Sequence, residues 1–408
     1  MDPASVFIKD YSYTLASDRI AKYPLANRDL SKLLIYQRGK ISEDIFKNIC
    51  QYIPSESYLV FNKTKVIQAR ILFKKQTGGV VEIFCLEPHS QYNNISTAMQ
   101  QTKKVWWHCL VGGASKWKHG QILEKKIKTE LHEITLHAAY LEKEKDNFII
   151  EFSWKPDQLN FADVLIHTGA IPLPPYIKRL VEERDTERYQ TIYADDEGSV
   201  AAPTAGFHFT ERIFNTLQEK NILYDFMTLH IGAATFKPVK TDNFYDHEMH
   251  AEFISITRSS IENLVKNLSR KIVAVGTTSL RTLESLYWLG VKAYLNEGIQ
   301  PSYFHLYQWE SYELSKNTIP AAEALKYLLS WMKNNKIERL HTKTALMIVP
   351  GYNTHITNGL ITNFHQPDST LLLLVAALIG NDWKRVYDYA LQNDFRFLSY
   401  GDGSLLWF

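Results

Sequence analysis

Little in this chain would staple it, anchor it or give it a strong field. Only three cysteines occur in 408 residues, Cys50, Cys85 and Cys109. They are odd in number, widely spaced and without a Cys-x-x-Cys pair, which excludes a disulfide framework and a zinc ribbon. Reduced thiols are the expectation. Long apolar runs are missing as well. The longest, Leu371 to Gly380, falls short of the roughly 20 residues that cross a bilayer. No basic stretch followed by an apolar one opens the sequence, so no signal peptide and no membrane association are expected, and a cytoplasmic protein is. Excess charge of one sign is also lacking. Lysine and arginine number 46 and aspartate and glutamate 44, a balance of +2. That argues against coating nucleic acid by bulk charge and leaves room for a local basic patch.

What is present describes a globular chain. Hydrophobic residues make up 45% and charged residues 22%, which excludes global disorder. Single cores rarely exceed roughly 250–300 residues, so two domains are expected. Aromatics, at 13%, point to stacking contacts. Leu33–Tyr36 and Tyr58–Phe61 read as strands, with a short helix between them over Asp44–Tyr52. From about 64 to 155, short β-rich runs recur at Val80–Leu86, Val105–Val111, Ile134–Ala139 and Asn147–Phe152. Glycine pairs separate them, the pattern of a small barrel or sandwich. From Pro172 onward strand, turn and helix alternate, as in a layered α/β domain. Ile272–Val275 and Ala345–Val349 read as strands, and Ser369–Gly380 as a buried helix capped by Ser369 or Asp368.

Several polar clusters stand out. Gly198 to Thr210 is dense in small residues and closes on Phe207-His208-Phe209. Small residues let backbone approach a ligand closely. His230 lies near the end of a probable strand, where a satisfied core histidine is the plainer alternative. His247-x-x-His250-x-Glu252 has the ingredients of a metal site, and equally of an acid–base cluster in which a carboxylate orients imidazoles. Gly276-Thr277-Thr278-Ser279 sits between strand and helix, where free N–H groups suit an anion. Arg281 and Glu284 follow at helical spacing, and an ion pair between them is the plain alternative. Asn363, His365 and Asp402 are polar residues in apolar surroundings and must find partners there or in a ligand.

Taken together these stretches resemble the S-adenosylmethionine:tRNA ribosyltransferase-isomerase family of the queuosine pathway. The resemblance runs through Tyr23–Ser31, Asn62–Arg70, Ile171–Arg179, Arg188–Ala194, Ala201–Thr210 and Thr228–Val239. It continues through His247–Glu252, Ala274–Ser279, Arg281–Ser285, Pro350–Tyr352, Thr362–His365 and Ser399–Asp402. It implies an α/β fold, a layered α/β domain with an inserted small β-barrel. The α/β part would span 1–63 and 156–408, and the barrel 64–155. It implies transfer and isomerisation of the ribosyl part of S-adenosylmethionine onto 7-aminomethyl-7-deazaguanine at the tRNA wobble position. Epoxyqueuosine-tRNA, adenine and methionine result. S-adenosylmethionine is a consumed substrate; no cofactor and no metal are implied, tRNA is the partner, and a monomer is favoured.

At the matching positions, His208, His247 and His250 are candidate acids or bases, with Glu252 orienting them. Thr204, His230, Thr277, Thr278, Arg281, Asn363, His365 and Asp402 are candidate substrate-binding residues, Thr204, Thr277 and Thr278 for ribose hydroxyls or the amino-acid carboxylate and Arg281 for that carboxylate. The barrel lysines and Trp106, Trp107 and Trp117 are candidates for the tRNA face. The chain departs from the family pattern at Lys63, Gln68 and Ala234, and carries an aromatic-rich segment near 287–340 that the family pattern does not include. The changes at Lys63 and Ala234 favour a second reading, a non-catalytic RNA-binding paralogue, and the retained His208, His247, His250, Glu252 and Asp402 oppose it. A His/Glu metalloenzyme is the third.

Overall fold

The computed structural model describes residues 5–75, 77–92, 95–129, 133–144, 147–232, 244–247, 249 and 251–408. A nine-stranded mixed sheet forms its centre. In spatial order the strands are Arg339–Thr344, Glu252–Thr257, Leu223–His230, Ser57–Asn62, Lys271–Val275, Gly359–Asn363, Gly403–Trp407, Lys32–Gln37 and Lys40–Ile45. Four neighbours, from Leu223–His230 to Gly359–Asn363, run parallel. Ser57–Asn62 is buried at every position, which explains its continuous apolar run, since a parallel strand is covered on both faces. Helices Thr277–Leu295, Ala321–Asn334, Thr370–Ile379 and Asp382–Gln392 cover one face, and Glu211–Glu219 with the short turn Phe46–Gln51 covers the other. This is the layered α/β architecture expected.

A second, six-stranded antiparallel sheet is ordered Arg70–Lys74, Val80–Pro88, Lys104–Gly112, Asn147–Lys155, Glu133–Glu144, Ile122–Lys128. Its edge strands approach each other, so it is nearly closed into a barrel around a core of its own. Thr64–Val66 does not join it but pairs in parallel with Asp196–Ser199. The segment near 287–340 is built into the α/β core. The long helix continues through it to Leu295, and Ala321–Asn334 packs so closely that a side chain at Gly290 would meet the Ala324 carbonyl oxygen at 2.2 Å.

Three sequence expectations are corrected. The strand expected at Ala345–Val349 lies at Arg339–Thr344, whose alternating burial and register with Glu252–Thr257 give it a partner. The apolar 345–349 run is instead a buried connection, apolar because it is enclosed. The short helix expected over Asp44–Tyr52 is a six-residue 3-10 helix, Phe46–Gln51, and Asp44 and Ile45 belong to the end of the preceding strand. Trp107 and Trp117 are buried in the barrel core, which removes them from an RNA face, and Trp106 donates its indole N–H to Glu151 at 2.7 Å.

Candidate functional site

The carboxyl ends of three of the four parallel strands border a cavity of about 190 Å³. Such strand ends are where open α/β sheets bind ligands, because the helices that follow start there with unpaired N–H groups. Ile231, Gly232 and Gly276 line it directly after their strands, and Asn363 as the last residue of its own. Gly276 has φ +92°, a left-handed value that lets the chain pass abruptly from strand into the Thr277–Leu295 helix. No side chain caps this helix, so its first N–H groups and its dipole face the cavity.

One turn inside stands Arg281, 5% exposed and lining the cavity. Its Nη1 pairs with Glu252 and its Nε donates to the Leu346 carbonyl at 3.2 Å. Its Nη2 has no hydrogen-bond partner among the described residues, and neither has the buried Thr278 hydroxyl beside it. Buried donors are rarely left so. Two of them at a helix start can donate to an anion. The ion pair between Arg281 and Glu284, the plain alternative for this helix, does not form. Glu284 faces another loop, where it accepts from the N–H groups of His355, Ile356 and Thr357.

A chain of hydrogen bonds supports the opposite wall. The Asn363 amide nitrogen faces the Asp402 carbonyl oxygen at 3.4 Å and His208 Nε2 at 3.2 Å. A carbonyl only accepts, so this end of Asn363 is the donor. His208 Nε2 therefore accepts, and its Nδ1–H donates to Ser31 Oγ at 2.7 Å. Asn363 Oδ1 in turn accepts from the Thr204 hydroxyl at 2.8 Å. Thr204 lines the cavity, and with its proton committed it presents lone pairs there. His208 itself does not line the cavity. It is buried, stacked on Phe46 with ring centroids 4.5 Å apart, and both ring nitrogens are engaged. Asp402 is also set back from the cavity. Its carboxylate accepts from the backbone N–H groups of Lys32 and Arg396 and from the Arg396 guanidinium.

Thr277, His247, Glu252 and His365 line the same cavity. His365 Nε2 hydrogen-bonds with Thr362 at 2.9 Å. His230 borders an adjoining chamber instead, with its Nδ1 2.9 Å from the Thr64 hydroxyl. His250 and Ala234 lie outside the described residues. Among the described residues no group of three or more His, Cys, Asp or Glu side chains is placed to hold a metal. Lys63 forms ion pairs with Asp195 at 2.8 Å and Asp196 at 3.3 Å, which offset its charge.

Burial pushes His208 and His230 down to about 4 and His365 down to about 3. All three are neutral in the folded state at pH 7. Their folded values lie below the unfolded one near 6.5, so the stability they carry is complete above about pH 6.5 and is lost as the pH falls toward 4. Each contributes a slope of at most about 1.4 kcal/mol per pH unit. Melting temperatures recorded from pH 7.5 to 4.5 are expected to fall steeply below 6.5. His365→Gln should flatten that fall; an unchanged slope would contradict the buried neutral imidazole.

The comparisons with known proteins agree over the whole chain. A family profile described as Queuosine biosynthesis protein matches residues 8–406. The S-adenosylmethionine:tRNA ribosyltransferase-isomerase of Carboxydothermus hydrogenoformans is 34% identical over 404 residues, covering 98% of this chain and 99% of the relative. That of Halothermothrix orenii is 34% identical over 408 residues, with the same coverage. The chain belongs to this family. A solved S-adenosylmethionine tRNA ribosyltransferase from Thermotoga maritima matches with a TM-score of 0.45 at 25% identity, covering 97% of this chain and 99% of that one.

Within this family's common stretches, several cavity residues escaped the sequence reading. Tyr176 and Ser399 line the cavity and hydrogen-bond to each other at 2.7 Å. Ser31 completes the His208 chain, and Thr362 holds His365. All four lie in segments that carry the family resemblance, but hydroxyl residues are too common for type alone to mark them. Among the described residues, no helix is long and apolar enough to cross a membrane.

Proposed function

We propose that this protein transfers and isomerises the ribosyl part of S-adenosylmethionine onto 7-aminomethyl-7-deazaguanine at the wobble position of tRNA. Epoxyqueuosine-tRNA forms, and adenine and methionine leave. The single observation that carries the reading is the pair of unpartnered buried donors, Arg281 Nη2 and Thr278 Oγ1, at an uncapped helix start. They suit the carboxylate of the methionine part, because a charge-assisted bond to a guanidinium is strongest where water is excluded. Thr204 presents an acceptor, which suits a ribose hydroxyl and not a carboxylate. Holding carboxylate and ribose at separate points leaves the sulfonium and the reacting carbon in a fixed register between them.

His247 and Glu252 border the cavity and are the groups on hand for proton transfer. His208 acts by positioning: it orients Asn363, and through it Thr204. The barrel sheet, read as a domain inserted over 64–155, frames the RNA side. The test incubates the protein with S-adenosylmethionine and tRNA carrying the deazaguanine precursor. Adenine release together with the matching mass gain on the nucleoside is the expected result. Absence of both at saturating substrates would overturn the transferase reading and favour a paralogue that binds RNA without turnover.

A further inference from the structure

The donor cavity does not end at Glu252. A second chamber of about 120 Å³ shares Ile231, Gly232 and Glu252 with it. Beyond that chamber a groove of about 530 Å³ shares His230, Ala251, Phe253 and Lys343 with the chamber. The groove, the chamber and the donor cavity thus adjoin one another through these shared residues. We propose that this groove is the docking track for a single-stranded stretch of the tRNA anticodon loop. Its walls carry the flanking nucleotides while the target base, turned out of its stack, enters the second chamber. The proposal rests on the transferase reading above.

The chemistry of the walls favours RNA. Among the described residues that line the groove there is no carboxylate, and Lys343 supplies its positive charge; burial lowers His230, His305 and His341, so they border it as neutral hydrogen-bonding groups at pH 7. Two acids stand nearby: Glu87, 3.8 Å from Lys343, belongs to the inner chamber, and Glu310 accepts from the Tyr307 backbone N–H at 2.9 Å and is paired with Lys292. Lys343 also sits over the Phe253 ring at 4.4 Å, so its ammonium is held at the wall. At the rim stands Tyr307, 61% exposed, on the same short segment as Tyr303, 67% exposed. Large aromatic faces left open to water beside a cation are what unstacked bases use, with the cation meeting the phosphates. A base must leave its stack for an enzyme to reach it, so a base-sized chamber at the inner end of a stacking groove fits that need. The two walls come from different parts of the molecule. Ile95 and Ser96 stand beside the barrel, and Pro301 to Tyr307 belong to the segment after the long helix.

The test measures binding of a synthetic anticodon stem-loop by fluorescence anisotropy, and of S-adenosylmethionine by calorimetry, on the same preparations. Tyr307→Ala is expected to weaken the stem-loop about tenfold. Tyr307→Phe, which keeps the stacking face, should stay close to wild type. Lys343→Ala should weaken it severalfold and lower the salt dependence by about one counterion. S-adenosylmethionine affinity should be unchanged in all three. Wild-type RNA affinity in both Tyr307→Ala and Lys343→Ala overturns the docking track and leaves the transferase reading intact. An equal loss in Tyr307→Phe and Tyr307→Ala overturns the stacking role. A wild-type protein that binds S-adenosylmethionine and no RNA at any salt overturns the track together with the reading it rests on.

Discussion

Arg281→Ala is expected to raise the dissociation constant for S-adenosylmethionine by roughly 10- to 150-fold. The side chain supplies a fixed cation and at least one free donor in a water-excluded site, and a charge-assisted bond there is worth about 1.5–3 kcal/mol. The same substitution removes the guanidinium that pairs with Glu252, both groups being buried. Breaking such a pair costs about 3–5 kcal/mol of stability, so the melting temperature should drop as well. The double variant Arg281→Ala/Glu252→Gln separates the two effects. It should recover much of the stability, since no carboxylate is left without its cation, while affinity stays low. Calorimetric titration and thermal unfolding on the three proteins form a cycle that isolates the coupling. Recovered affinity in the double variant would place the anion receptor elsewhere.

The second large effect concerns stability alone. Glu284 is 0% exposed and accepts from three consecutive backbone N–H groups, from the Thr357 hydroxyl at 3.0 Å and from the Tyr352 hydroxyl at 3.0 Å. Burial drives its carboxyl above the usual range, against the pull of these donors. The loop it holds leads directly into strand Gly359–Asn363, which delivers Asn363 to the cavity. Glu284→Ala strands several buried donors at once, each costing about 1–3 kcal/mol. A loss of roughly 4 kcal/mol or more is therefore expected by denaturant unfolding, with low soluble yield at 37 °C. Glu284→Gln should lose less, because one oxygen still accepts, but its amide N–H₂ then meets donors. A Glu284→Ala protein as stable as wild type would mean that water fills the carboxylate's place.

The element most readable in sequence was the turn from Val275 through Gly276 to the long helix. A short buried strand, a glycine and two threonines before a helix carry their own local logic, and Thr277, Thr278 and Arg281 all border the cavity. The barrel strands were readable for a similar reason, since alternation and glycine turns are local. His208 was harder. Its place in a small-residue stretch marked it as important, yet its neighbours Ser31 and Asn363 lie 177 and 155 residues away. Those two decide that both ring nitrogens are occupied. The groove was not legible at all as a groove, because its walls join residues near 95, 254, 304 and 342.

By itself the sequence determined much of the local geometry: a buried strand turning at a glycine into a helix, the alternating barrel strands, and thiols and charges too few to staple or steer. Periodicity and backbone preference act over a few residues, so they survive without a partner. Only the tertiary structure decided which buried polar groups are satisfied. Arg281 and Glu284, three residues apart on one helix, look like a pair, but Glu252 and the 355–357 loop reach them first. Satisfaction of a buried donor depends on what the fold brings within about 3 Å, and that leaves Arg281 Nη2 and the hydroxyls of Thr278 and Tyr189 on cavity-lining residues without a partner among the described residues.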